Sequence, residues 1–168
     1  VVPVGGGGLI SGIAAAVKGL RGDRVKVIGV QPRGAPALYK SYKEGKLVTV
    51  EKVQTIADGV IVKRPGDLTL KLISELVDDM VLVDDPEIAR AMFLLLERAK
   101  LVAEPAGALS VAALLSGAVE ARGKKVVAVI SGGNVDMALL SRIVERSLYL
   151  EGRQAKIRGV LPDRPGEL

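Results

Sequence analysis

Four consecutive glycines, Gly5 to Gly8, stand between a short apolar run, Val1-Val2-Pro3-Val4, and a stretch in which Leu9, Ile10, Ile13, Val17 and Leu20 recur at helical spacing. The order is strand, glycine loop, helix. With no side chain in the way, several backbone N–H groups converge on one point at a helix N-terminus, where the dipole adds positive potential. Such a loop is a cradle for a phosphate or a carboxylate. Glycine costs about 0.5–1 kcal/mol relative to alanine inside a regular element, so a plain turn gains nothing from four of them.

The flanking residues narrow the choice of anion. A nucleoside-triphosphate loop needs Lys-Ser/Thr after its glycines, and Leu9-Ile10-Ser11 follows here. A dinucleotide fingerprint needs a third glycine, where Ile10 or Ser11 stands, and an acidic residue closing the second strand, where Gln31 stands. A single phosphate monoester fits best.

Downstream the pattern repeats. Val25 to Val30 reads as a second strand ending at Gln31-Pro32, and Pro36 to Glu44 as a short helix. Leu47 to Lys63 is irregular, with Thr55-Ile56-Ala57-Asp58-Gly59 at a turn, and irregular stretches beside ordered units often carry sites. Pro65 to Leu76 is a helix by its start signals, Met80 to Val83 a strand, and Asp84-Asp85-Pro86-Glu87 opens a long helix through Ala99. Glu104 to Ala108 is expected to open a further helix to Leu115. Val126 to Ile130, almost wholly apolar, is expected at the centre of a parallel sheet, with Ser131-Gly132-Gly133-Asn134 at its carboxyl end and a helix over Val135 to Tyr149. Four alternations of strand and helix predict an α/β fold, an open, mostly parallel sheet with helices on both faces and ligands outside the carboxyl ends of the strands. There Ser131 either caps a helix or offers its hydroxyl to a neutral ring nitrogen or a substrate oxygen.

Composition removes other chemistries. Among 168 residues there is no His and no Cys, which excludes a Ser-His-Asp site, thiolate metal sites and disulfides built from these residues. The net charge of +5, 24 basic against 19 acidic residues, is scattered, and Phe93, Tyr39, Tyr42 and Tyr149 are too few as stacking platforms for nucleic acid. Charged residues interrupt every apolar run, so no membrane span is expected, and with no secretory leader the expected location is cytoplasmic.

Six segments in this order and spacing, VVPVGGGGLISGIA, KVIGVQP, TIADGVIVK, LVDDMVLVDDPEIARA, EPAGALS and VVAVISGGNVD, resemble the threonine and serine dehydratases, pyridoxal-phosphate enzymes of the tryptophan-synthase-β (type II) fold. The resemblance covers roughly residues 1–153. It implies that backbone amides of Gly5, Gly6, Gly7, Gly8 and Leu9 hold the phosphate of pyridoxal 5'-phosphate and that Ser131 faces its pyridine nitrogen. Gly59 would lie near the ring, with Glu104 and Asn134 in the surrounding shell. A serine there leaves the ring nitrogen unprotonated, which suits β-elimination over transamination. The implied reaction is loss of the β-hydroxyl of L-threonine or L-serine to give a 2-oxo acid and ammonia, with serine dehydration or β-replacement as the alternative chemistry.

The family's Schiff-base lysine has no match here and is expected upstream of Val1, so no catalytic residue is assigned to this chain, which is expected to be inactive alone. Lys18, Lys26 and Lys63 read as exposed. Related serine racemases bind a divalent metal where this chain has Gln31 and Ala37, so no metal site is expected. KIRGVLPDRPGEL resembles the opening of an ACT regulatory domain of α+β type. The expected organisation is a partial catalytic domain over 1–150, a linker at 151–153 and the start of the ACT-like domain over 154–168. A homo-oligomer is expected by resemblance, with an amino-acid effector at the ACT-like part. A chain that senses amino acids without catalysis is the alternative from another class.

Overall fold

The computed structural model of the chain describes residues 1–158. Among these residues three strands, β1 (Val2–Pro3), β2 (Ile28–Pro32) and β3 (Asp79–Val83), form a parallel sheet in the order β1-β2-β3. Its register pairs Val2 with Gly29 and Val30 with Val81. The helices are α1 (Gly8–Arg21), α2 (Ala37–Glu44), α3 (Asp67–Leu76), α4 (Asp85–Leu94), α5 (Leu109–Leu115) and α6 (Met137–Leu150).

Alternate strand residues feed two separate cores. On one face Val2, Val4 and Met80 pack with Ile10 and Ala14 of α1, Leu38 of α2 and Ile73 of α3. On the other, Val30 and Val83 pack with Ile88 and Met92 of α4, Leu109 and Ala112 of α5 and Ile143 of α6. Helices cover both faces, as the alternation predicts.

Three expectations need correction. Val126–Ile130 forms no regular ladder among the described residues. It runs beside β1, where Val129 N–H donates to the Val1 carbonyl (3.0 Å) and the Val1 amino group to the Val127 carbonyl (2.8 Å). Secondly, regular α5 begins later than expected, at Leu109. Glu104–Ala108 form a single turn leading into it, with Ala108 N–H donating to the Glu104 carbonyl (3.0 Å) and Glu104 N–H to the Gly132 carbonyl (3.1 Å). Thirdly, Lys18 is not exposed. Its ammonium donates to Asp78 (2.9 Å) and to the Val25 carbonyl (3.3 Å), which covers most of the side chain.

α4 runs on into a widened turn, Leu95–Ala99, that ends at Lys100 with φ 58°. After α6, Arg153 is tied back to this turn through Glu97 and lies 5.9 Å from the centre of the Phe93 ring. Residues 154–158 carry no regular structure, and residues 159–168, with the rest of the expected ACT-like opening, lie outside the described residues. Among the described residues no helix is long and apolar enough to cross a membrane.

Candidate cofactor site

The chain passes from β1 to β2 to β3 with α1, α2 and α3 on one face. It then returns along the other face through α4 and α5 to place 126–130 beside β1. The direction of winding therefore reverses between β1 and segment 126–130. Ligands of open α/β sheets bind at such a switch point, at the carboxyl ends of the strands. Both glycine loops are there: Gly5–Gly8 follows β1, and Ser131–Asn134 follows 126–130.

The first loop is held from below. Val4 N–H donates to the Val30 carbonyl (2.9 Å) and Ser11 N–H to the Gly7 carbonyl (3.0 Å). Between them, the N–H groups of Gly5 to Ile10 have no backbone acceptor among the described residues. These are the free donors that begin a helix, and no acidic residue stands in the first turn of α1 to oppose an anion. Gly7 has φ 95°, and a Cβ on it would stand 2.8 Å from Ile73 Cδ1 and 2.9 Å from Leu38 Cδ1, so the fold itself demands glycine there. Gly6 and Gly8 differ. A Cβ on Gly8 would meet nothing within 4 Å and one on Gly6 only Val62 Cγ2 at 3.9 Å. Both residues are exposed, so neither needs glycine for packing and their N–H groups are open to a phosphate.

In the sequence Gln31 marks only the absence of an acid at the end of β2; the structure gives it a task. Fully buried, it accepts from Tyr39 N–H (2.8 Å) and donates, at 3.4 Å, to the Gly5 carbonyl. The amide thus joins the first glycine to the start of α2.

The turn Asp58–Val60 bridges the two halves. A Cβ on Gly5 would stand 3.2 Å from Val60 Cα, while one on Gly59 would stand 3.3 Å from Ala106 Cβ and 3.9 Å from Glu104 Oε1. Glu104 Oε1 also lies against Gly132. Gly5 and Gly132 thus stand at the two ends of a row of near neighbours that runs through Val60, Gly59 and Glu104 across the switch point. The half-buried Glu104 carboxylate accepts no hydrogen bond among the described residues. Leu9, Ser131 and Asn134 are exposed on the same side, and neither the Ser131 hydroxyl nor the Asn134 amide is engaged by another described residue. Ser131 caps no helix. That task falls to Asp136, whose carboxylate accepts from Leu139 N–H (2.9 Å).

The shifted ionisable groups lie elsewhere. At the amino ends of β2 and β3, burial works to raise the Asp78 carboxyl, but hydrogen bonds from Lys18 and from Val27 N–H outweigh it and hold it below the ordinary carboxylate range. The same bond to Asp78 holds Lys18 above its usual range.

A family model described as pyridoxal-phosphate dependent enzyme matches residues 1–132. The L-threonine ammonia-lyase of Thermotoga maritima is 50% identical over 168 residues, 100% of this chain and 41% of that protein. Maize serine racemase superposes with a TM-score of 0.77 at 37% identity, over 90% of this chain and 47% of that one. The processed form of threonine deaminase isoform 2 from Solanum lycopersicum superposes with a TM-score of 0.77 at 35% identity, over 86% of this chain and 42% of that one. The chain thus spans less than half the length of each relative.

Proposed function

The chain belongs to the pyridoxal-phosphate dependent enzymes, and from that premise we propose that it forms part of a threonine ammonia-lyase, in which L-threonine loses its β-hydroxyl as water and the resulting enamine takes water back on hydrolysis to give 2-oxobutanoate and ammonia. The observation that carries this reading is the pairing of the two glycine loops across the switch point, one with free N–H donors at a helix N-terminus and the other with an unengaged hydroxyl. Bound pyridoxal phosphate supplies a conjugated ring that takes up the electron pair released at the substrate α-carbon.

The chain's own residues have separate tasks. N–H groups of Gly5, Gly6, Gly7, Gly8 and Leu9 bind the phosphate. The Ser131 hydroxyl donates to the ring nitrogen and leaves it unprotonated, since a hydroxyl, unlike a carboxylate, does not favour the charged form. Gly59 leaves room beside the ring, and Glu104 and Asn134 border it. No lysine is assigned to attach the cofactor: Lys18 is held at the far end of the sheet by Asp78. We place that lysine outside these 168 residues, together with most of the pocket that chooses among threonine, serine and other β-substituted amino acids. Residues 1–150 belong to the catalytic domain, 151–153 to a linker and 154–168 to an ACT-like domain that binds an amino-acid effector. The whole protein is a homo-oligomer.

The test is turnover. Full-length protein loaded with pyridoxal phosphate should release 2-oxobutanoate and ammonia from threonine faster than pyruvate from serine. Preference for serine or O-acetylserine makes it a serine dehydratase or a β-replacement enzyme. Turnover by the 168 residues alone would refute the placement of the lysine. Isoleucine, valine or serine that binds the full chain without changing its rate would favour a sensor.

A further inference from the structure

Asp58–Val60 is the bridge between the two halves of the site, yet it is a single three-residue turn inside a long irregular segment. Something else must fix it. Immediately before it, Thr55 Oγ1 donates to Asp85 Oδ1 (2.5 Å), Ile56 N–H donates to Asp85 Oδ2 (3.1 Å), and Thr55 Oγ1 accepts from Ala57 N–H (3.2 Å). On the other flank Gln54 N–H donates to the Gly34 carbonyl (2.9 Å). Ala57 is fully buried in the core beneath α4.

Asp85 is the first residue of α4, and the helix does not need it as a cap. Asp84 is the N-cap, and its N–H donates to Glu87 Oε2 (2.7 Å). The Asp85 carboxylate therefore sits in the favourable field of a helix N-terminus with both oxygens directed to the neighbouring loop. Two charge-assisted bonds to one carboxylate fix both position and orientation of the segment that leads into Gly59.

We infer that Asp85 and Thr55 are positioning residues for the cofactor site: together they hold the Asp58–Val60 turn against Gly5 on one side and Glu104 on the other, and so set the gap in which the cofactor ring is gripped. This rests on the cofactor reading above and adds to it two residues that touch neither ring nor phosphate. With the clamp removed the turn samples other positions, and affinity falls by the fraction of molecules that still hold the competent one.

The experiment uses the full-length protein with Asp85→Ala, Thr55→Val, the double variant and, as a control at the same helix start, Glu87→Ala. In the apoprotein, amide hydrogen exchange over 55–60 should quicken in Asp85→Ala and Thr55→Val and not in Glu87→Ala. Titration with pyridoxal phosphate should give about fivefold to tenfold weaker affinity for each clamp variant, the size expected if a tenth to a fifth of molecules keep the turn in place. The double variant should be no weaker than the worse single one, because the two share one network. Visible circular dichroism of the bound cofactor should change in the clamp variants alone, whereas Glu87→Ala lowers only the unfolding temperature. Unchanged exchange in Asp85→Ala overturns the clamp whether or not a cofactor binds. Quickened exchange with unchanged affinity and dichroism overturns its role in the site. If the unaltered protein binds no pyridoxal phosphate while exchange still responds, the cofactor reading fails and the positioning role fails with it.

Discussion

The two ends of the sheet are built on opposite plans. At the amino ends, charged groups meet: Lys18 with Asp78 at 2.9 Å, with Val27 N–H on the same carboxylate at 2.7 Å, and Lys43 with Asp79 at 2.8 Å. At the carboxyl ends, the N–H groups of Gly5 to Ile10, the Ser131 hydroxyl and the Glu104 carboxylate are all left without partners among the described residues. One end ties α1 and α2 to the strands. The other keeps donors and acceptors free for a ligand, which is where a fold gives up stability for function.

The sharpest way to break this contrast is Gly7→Ala. Glycine at Gly7 serves the fold, so the substitution should destabilise the full-length protein by about 2–3 kcal/mol in urea unfolding, from the left-handed φ and the clash with Ile73 and Leu38. Next is Asp78→Ala, which removes two hydrogen bonds at the other end and should cost about 2 kcal/mol while leaving cofactor affinity unchanged. Gly8→Ala should do the reverse. Stability should be kept or slightly raised, but affinity for pyridoxal phosphate should fall about tenfold, roughly 1.4 kcal/mol, with affinity for unphosphorylated pyridoxal unchanged. Equal losses for Gly7→Ala and Gly8→Ala in either assay would erase the distinction between structural and ligand-facing glycines.

The smallest effect is in pH. The Asp78 carboxyl is held low, so its contribution is complete above the ordinary carboxylate value and disappears as pH falls through its lowered one. Lys18 is held high, so its contribution is complete below the ordinary lysine value and disappears as pH rises through its raised one. Wild type should therefore be more stable than Asp78→Asn at neutral pH, with a gap that narrows on acidification. A gap that widens there would contradict the sign.

What is legible in the sequence is local. The change from continuous apolar runs to helical spacing marks β2, α3, β3 and α4 within a few residues, because strand faces and helix stripes follow directly from side-chain polarity. What misleads depends on partners distant in the chain. Val126–Ile130 looks like a regular strand because it is almost wholly apolar, but among the described residues its bonds to Val1, at the other end of the chain, make no regular ladder. Pro105 and the alanines after it suggest a helix start, and the chain winds one turn there, with Ala108 N–H on the Glu104 carbonyl, before regular helix begins at Leu109. Of the candidate site, Gly5 to Gly8 are visible in the sequence as a loop, Gly59 and Glu104 only through the family resemblance, and the structure brings Gly5, Gly59 and Glu104 near one another. Gln31 and Asp85 are not, because each has a simpler local explanation, as the end of a strand and as part of a helix cap. The doubled Asp84-Asp85 is a signal in hindsight, one acid more than the N-cap requires.

The reversal of winding beside β1 also joins distant parts of the chain. Val1 and Val127, whose hydrogen bond closes the switch point, are separated by 126 positions in sequence. Closing so long a loop carries a large entropic cost, and contacts of such separation slow folding. The two glycine loops are therefore expected to come into register after the local units, so that in a refolding time course cofactor binding should appear later than helix content.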